Sequence, residues 1–148
     1  MLDEREVSSF VAGTTRYFEV AVGQPASVGS PYLVTRGVPD QHEYSGVIEV
    51  SGRRQGVVYF TAPRGMLVVM LMKMQESNVA HENLCDLVGE VANTITGNVR
   101  RDFGREFGIS PPTVVTDGQA VPLPAGPHPI VIPINWRSHT AKVVVCLK

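Results

Sequence analysis

The sequence predicts an α/β chain of the α+β kind, in which helices pack on a mixed, largely antiparallel sheet of about six strands. Three observations point there. One long stretch, 81–104, carries its apolar residues at helical spacing; several short runs between residues 32 and 147 are rich in β-branched and aromatic residues; and turn residues join those runs into hairpins. With 148 residues the chain is most simply one domain, 1–148, long enough to bury roughly 70% of its unfolded surface without a disulfide or metal staple.

From the amino terminus, Glu4 to Val20 sets Val7, Phe10, Val11, Thr14 and Phe18 on one helical face, and Gly23-Gln24-Pro25 ends that helix. A linker rich in Pro and Gly follows. Tyr32 to Thr35 reads as a short strand and Glu43 to Val50 as a longer one, and 51–56, SGRRQG, reads as a hairpin loop into a strand at Val57 to Thr61. Pro63 suits a helix start. Met66 to Gln75 reads as a buried helix, with a strand as the alternative for so apolar a run. Glu76-Ser77-Asn78 is a turn ahead of the long helix. Beyond it, Pro111 and Pro112 impose extended backbone before a strand at Thr113 to Thr116, and Asp117-Gly118 marks a turn. Val121 to Pro129 holds four prolines and reads as an irregular connection. Ile130 to Trp136 and Lys142 to Leu147 then flank Arg137-Ser138-His139-Thr140 as a terminal hairpin, with Trp136 capping the sheet edge.

Composition excludes several classes of function. The net charge is −1 and the only basic clusters are the pairs Arg53-Arg54 and Arg100-Arg101, so the footprint that nucleic-acid binding requires is missing. The opening MLDEREVSSF is acidic where a secretory signal is basic, and the most apolar run, Gly65 to Met74, is about half the length that spans a bilayer. A cytoplasmic location without membrane insertion is expected. Cys85 and Cys146 are too few for a disulfide framework and read as reduced, structural residues; Cys85 has no neighbouring cation to favour its thiolate. His81-Glu82 begins like a zincin motif, but position 85 is Cys where the second His is needed. His42, His128 and His139 lack ligand spacing and read as surface loop residues, so no metal site is expected.

The stretch 81–104 has two contrasting faces. At about 100° per residue, Leu84, Val88, Val91, Ile95 and Val99 fall within roughly 40° of one direction, a core-facing stripe. Opposite them, by the same rotation of about 100° per residue, Asp86, Glu90, Asn93, Gly97, Arg100 and Gly104 form one row. An ordinary solvated face is filled with good helix formers. This one holds an interior Asn, which competes for its own backbone hydrogen bonds, and the helix carries Gly89 and Gly97, each costing about 1 kcal/mol relative to Ala. A surface that approaches the backbone closely beside Asn93 and Gly97 would account for such a weakened helix; a solvated face with accidental glycines is the alternative. Asn98 lies about 80° or more off the row and reads as a support for the helix end or the neighbouring strand.

Asp86-x-x-x-Glu90-x-x-Asn93, followed by Gly97-Asn98 and by 109–115, ISPPTVV, resembles the CheX branch of the CheC/CheX/FliY phosphatases. The resemblance covers nearly the whole chain and is least diagnostic over the first 25 residues. It implies hydrolysis of the aspartyl phosphate on a phosphorylated, CheY-like receiver domain, a homodimer, and no cofactor beyond the Mg²⁺ expected on the receiver. It implies Glu90 and Asn93 as the catalytic pair, with Glu90 on the receiver's active-site Lys and Asn93 on the attacking water. Asp86 matches the family's acidic or Ser position, and Gly97 and Arg100 would extend the partner-binding face. A single copy of the motif favours the CheX type over the two-site CheC type. The rivals are a receiver-binding module without turnover, a flagellar-switch component, and, last, a metal or thiol enzyme.

Overall fold

The computed structural model describes residues 2–117 and 119–148, so the Gly118 half of the expected turn lies outside them. Reciprocal capping starts the first helix. The Asp3 side chain accepts from the Glu6 backbone N–H at 2.8 Å, and the Glu6 side chain accepts from the Asp3 N–H at 3.2 Å. Helix α1 spans Glu4–Tyr17 and passes into a π-helical turn, Phe18–Val22, which ends at Gly23 with φ 76°. Helices α2, Arg64–Lys73, and α3, His81–Phe103, complete the helical set.

One sheet collects the strands β1 (Ser27–Val28), β2 (Tyr32–Leu33), β3 (Tyr44–Gly52), β4 (Gly56–Ala62), β5 (Phe107–Ile109), β6 (Thr113–Val115), β7 (Ile130–Trp136) and β8 (His139–Leu147). Their order is β1-β7-β8-β4-β3-β5, with β2 also on β7 and β6 also on β3. Every pairing among the described residues is antiparallel. The path therefore has the expected strand number, and the two additions are short segments lying beside a longer neighbour. Between β5 and β6, Ser110 keeps the ladder going: its N–H donates to the Glu49 carbonyl and its Oγ accepts from the Glu49 N–H, each at 2.9 Å. Pro111 and Pro112 have no N–H to offer, and pairing resumes only at Thr113.

Period-two alternation divides the sheet into two faces. Ile48, Val50, Val58, Phe60, Ile132 and Val143 join the main core under the helices. Val47, Tyr59, Val131 and Val144 point the other way, where Val121 and Leu123 of the Pro-rich connection cover them. Helix α3 lies in close contact with the sheet at Gly46, where a Cβ would fall on the Val88 carbonyl. Helix α1 runs antiparallel along α3: Arg5 sits over the Phe103 ring at 5.4 Å, the Ser9 hydroxyl donates to Asp102, and Gly13 fits between the Ile95 carbonyl and Asn98. The ion pair of Arg54 with Glu6 ties the β3–β4 turn to the start of α1.

Three expectations change. Trp136 is fully buried rather than capping an edge, because the end of α1 folds over it; its indole N–H donates to the Gln24 carbonyl at 3.2 Å and its ring lies 6.1 Å from Phe18. His42 is half-buried, with its backbone N–H on Thr61 Oγ1 at 2.8 Å and its Nε2 buried without a partner. His139 belongs to β8 and pairs with Trp136, since the hairpin turn is shorter than four residues. His128 remains exposed. Among the described residues, no helix is long and apolar enough to cross a membrane.

Candidate functional site

Helix α3 is the rod that carries the candidate site. Its 23 residues make it about 34 Å long. Leu84, Val88, Val91, Ile95 and Val99 are all buried, as the periodicity requires, and Leu87, Ala92 and Thr96 widen the buried stripe. On the far side Asp86, Glu90 and Arg100 are exposed, and Asn93 and Gly97 are half-buried. Gly104 closes the helix with φ 83°, and its N–H reaches the Arg100 carbonyl. The residues of the row thus stand on one face of one element, backed by the sheet and by α1.

Within the row the side chains differ in what holds them. Thr94 Oγ1 donates to Glu90 Oε1 at 3.1 Å, an i, i+4 contact that restrains the carboxylate. The Asn93 carboxamide makes no hydrogen bond among the described residues, so both its donor and its acceptor are available. A Cβ at Gly97 would meet nothing within 4 Å. Arg100 Nε donates to the Phe107 carbonyl at 3.1 Å, so this side chain braces the link to β5 while it stays exposed. Gly89 belongs elsewhere: it is buried, and a Cβ there would lie 3.4 Å from Pro112 and 3.5 Å from Val114. Asn98 lies off the row as the rotation requires. It accepts from Arg101 and packs beside Gly13, so the element it supports is α1.

The start of α3 forms a second polar cluster. His81 Nδ1 and the Tyr44 hydroxyl are 2.8 Å apart, and His81 Nε2 lies 3.5 Å from Cys85 Sγ. Burial, then the charges of Asp86 and Glu82, push the Cys85 thiol upward, which disfavours its nucleophilic form. Both cysteines are free. Among the described residues, no group of three or more His, Cys, Asp or Glu side chains is placed to hold a metal ion.

Two residues near Glu90 escape a reading of the sequence. Thr94 was visible in principle, since it lies four positions on from Glu90. Tyr17 was not, because only the packing of α1 on α3 brings it there. Its side chain is 2% exposed, its hydroxyl has no partner, and burial followed by the Glu90 charge drives its pKa well above 10.0. A groove of about 660 Å³ lies between α1 and β2 and is lined by residues such as Leu2, Val7, Val11, Tyr32 and Leu33; it takes in no residue of the row. The row therefore lies on the solvent side of α3, outside that groove.

Comparison with known proteins agrees with this architecture. The chain matches solved structures of the chemotaxis protein CheX from Desulfovibrio desulfuricans (24% identity, 97% of this chain and 99% of that one, TM-score 0.85) and of CheX from Vibrio vulnificus (20%, 97% and 99%, 0.83). It also matches the CheX–CheY–BeF₃–Mg²⁺ complex from Borrelia burgdorferi (15%, 97% and 97%, 0.78). At these identities the shared property is the fold. No curated protein matches the sequence significantly. The family model described as chemotaxis phosphatase CheX matches residues 44–135, a span of more than half the chain that includes β3, the whole of α3 and β7 up to Asn135. On that match, the chain belongs to the CheX family.

Proposed function

We propose that this chain is a phosphatase that hydrolyses the aspartyl phosphate of a CheY-like receiver domain by inserting Glu90 and Asn93 into the receiver's site. The observation that carries the reading is the pair itself. A carboxylate and an unpartnered carboxamide stand on neighbouring turns of one helix whose opposite face is wholly buried, so both project from a support that does not yield. The family assignment and the fold shared with a CheX solved together with CheY give the reading its partner.

The chemistry asks little of the phosphatase beyond placement. Phosphoryl transfer passes through a loose transition state in which positioning and charge stabilisation do most of the work. A receiver supplies Mg²⁺ and a Lys to the phosphoryl oxygens, and an attacking water remains to be held in line with the scissile P–O bond. Asn93 suits that task because its amide both accepts from and donates to a water, and it adds no negative charge beside the phosphoryl group. The water oxygen bonds to phosphorus, the P–O bond to the receiver carboxylate breaks, and inorganic phosphate leaves. Holding one water is worth about 10²-fold, roughly 2.7 kcal/mol of barrier. Glu90 takes the cationic side of the same site, and this chain needs no cofactor of its own. Gly97, with open space where a side chain would stand, lets the receiver surface come close to the helix backbone. Asp86 and Arg100 border the contact.

Purified phosphorylated receivers tested with substoichiometric amounts of this protein distinguish turnover from binding. Accelerated loss of acyl phosphate through many cycles supports the enzyme, and Glu90→Lys weakens docking by at least tenfold, about 1.4 kcal/mol, by opposing the receiver's Lys. Stoichiometric binding of receivers with no acceleration for any of them would reduce the protein to a binding module.

A further inference from the structure

The hydroxyl of Tyr17 is a buried polar group that the fold leaves unexplained. Leaving a donor buried and unbonded costs about 1–3 kcal/mol, and Phe in its place would fill the same space without that cost. Such groups in a folded protein call for a functional account. Tyr17 is 2% exposed, and its hydroxyl has no hydrogen-bond partner among the described residues.

Its place in the fold is specific. Helices α1 and α3 run antiparallel, with Arg5 at Phe103, Ser9 at Asp102 and Gly13 at Ile95 and Asn98. One further turn along α1 brings Tyr17 level with the turn of α3 that holds Glu90 and Thr94. The Glu90 charge acts on the Tyr17 phenol, second only to burial, as a nearby carboxylate does. Tyr17 is also the residue at which α1 changes from α to π geometry. Isolated π turns are rare and gather at functional sites. Here the change leaves two successive aromatic residues buried, Tyr17 and Phe18, with rings at 89° and centroids 5.6 Å apart. That contact fixes the plane of the Tyr17 ring.

We propose that Tyr17 is a positioning residue for Glu90: its hydroxyl donates to the Glu90 carboxylate when a receiver docks, and holds that carboxylate on the partner's cation. The inference rests on the role given to Glu90 above. In the free protein Thr94 occupies Glu90 Oε1. A carboxylate has two oxygens and about four acceptor directions, so Glu90 has acceptor capacity for Thr94, Tyr17 and the cation together. The cost of the orphan hydroxyl in the free state is then recovered in the complex, where a hydrogen bond to an ionised acceptor is worth more than a neutral one. Tyr17 touches neither phosphate nor water and acts through Glu90 alone.

The test uses the full chain carrying Tyr17→Phe, with thermal unfolding and steady-state kinetics on a phosphorylated receiver measured side by side. The expected result has two opposite signs. The unfolding midpoint stays level or rises, because an unpaired polar group has been removed, while KM rises about tenfold with kcat within twofold. In a Glu90→Ala background the same Tyr17→Phe change leaves KM where it was. A stable Tyr17→Phe protein with unaltered KM overturns the proposal while leaving the role of Glu90 in place, and so does an equal KM effect in the Glu90→Ala background. If Glu90→Ala alone changes neither KM nor kcat, the reading of Glu90 falls, and this proposal with it.

Discussion

At the scale of single residues, the contrast between Glu90 and Asn93 decides the account. Both were legible in the sequence, because a four-residue spacing and a three-residue spacing on one helical pattern place Asp86, Glu90 and Asn93 together whatever the rest of the fold does. Thr94 was within reach of the same arithmetic, and Tyr17 was not, since it lies 73 positions from Glu90 in a different helix and no local pattern links the two. His42 shows the limit from another side. As a lone histidine in a polar stretch it reads as a loop residue, yet the β3–β4 ladder carries Thr61 to its backbone N–H and closes over its ring. Burial, and then Lys142, lower its pKa from 6.5, and Glu43 and Asp40 oppose them. The unfolded chain therefore takes up this proton more readily than the folded one. The contribution of neutral His42 is complete above pH 6.5 and is lost as the pH falls below it. Urea midpoints at pH 7.5 and 5.5 should differ more for the natural chain than for His42→Gln, and equal differences would remove His42 from the pH dependence.

At the scale of elements, α3 carries both core packing and the proposed docking row, and its glycines separate the two. Gly89 and Gly97 look alike in the sequence, each an interior glycine in a long helix. The structure assigns Gly89 to packing against Pro112 and Val114 and Gly97 to open space. Gly97→Ala should therefore stabilise the free protein by about 1 kcal/mol, since it removes a helix-interior glycine where nothing obstructs a methyl group, and chemical unfolding measures it. Gly97→Leu should fold equally well and lose receiver binding by tenfold or more, because the partner must then give way to an isobutyl group. A Gly97→Leu protein that binds the beryllofluoride-trapped receiver as tightly as the natural chain would move the docking face away from this row. Helix bounds were legible to within a few residues because caps and glycines mark them: the expected 81–104 became His81–Phe103 with Gly104 as its cap. The shift to π geometry at Phe18, whose ring packs on Trp136, carries no such signal.

At the scale of the whole molecule, the sheet is a platform that presents α3. Its central strands were legible from their β-branched and aromatic runs. The short strands β1 and β5 were not, because segments of two or three residues owe their extended form to the neighbour they pair with, here β7 and β3. Trp136 reads as an edge residue for the same reason: the sequence gives no sign that β1 pairs beside it on β7 and that the end of α1 packs on its ring. The far face of the sheet is covered by Val121 and Leu123 of an irregular connection, and the outer row of α3 stays on the solvent side. On the function proposed above, the molecule offers half of a reaction centre and the receiver supplies the other half. The most direct test of that claim is the Asn93→Ala variant, assayed for decay of receiver acyl phosphate and, separately, for affinity to the beryllofluoride-trapped receiver. The predicted result is a loss of about 10²-fold in the decay rate with affinity within about threefold of the natural chain. Decay at the natural rate in Asn93→Ala would contradict the claim that this carboxamide holds the attacking water.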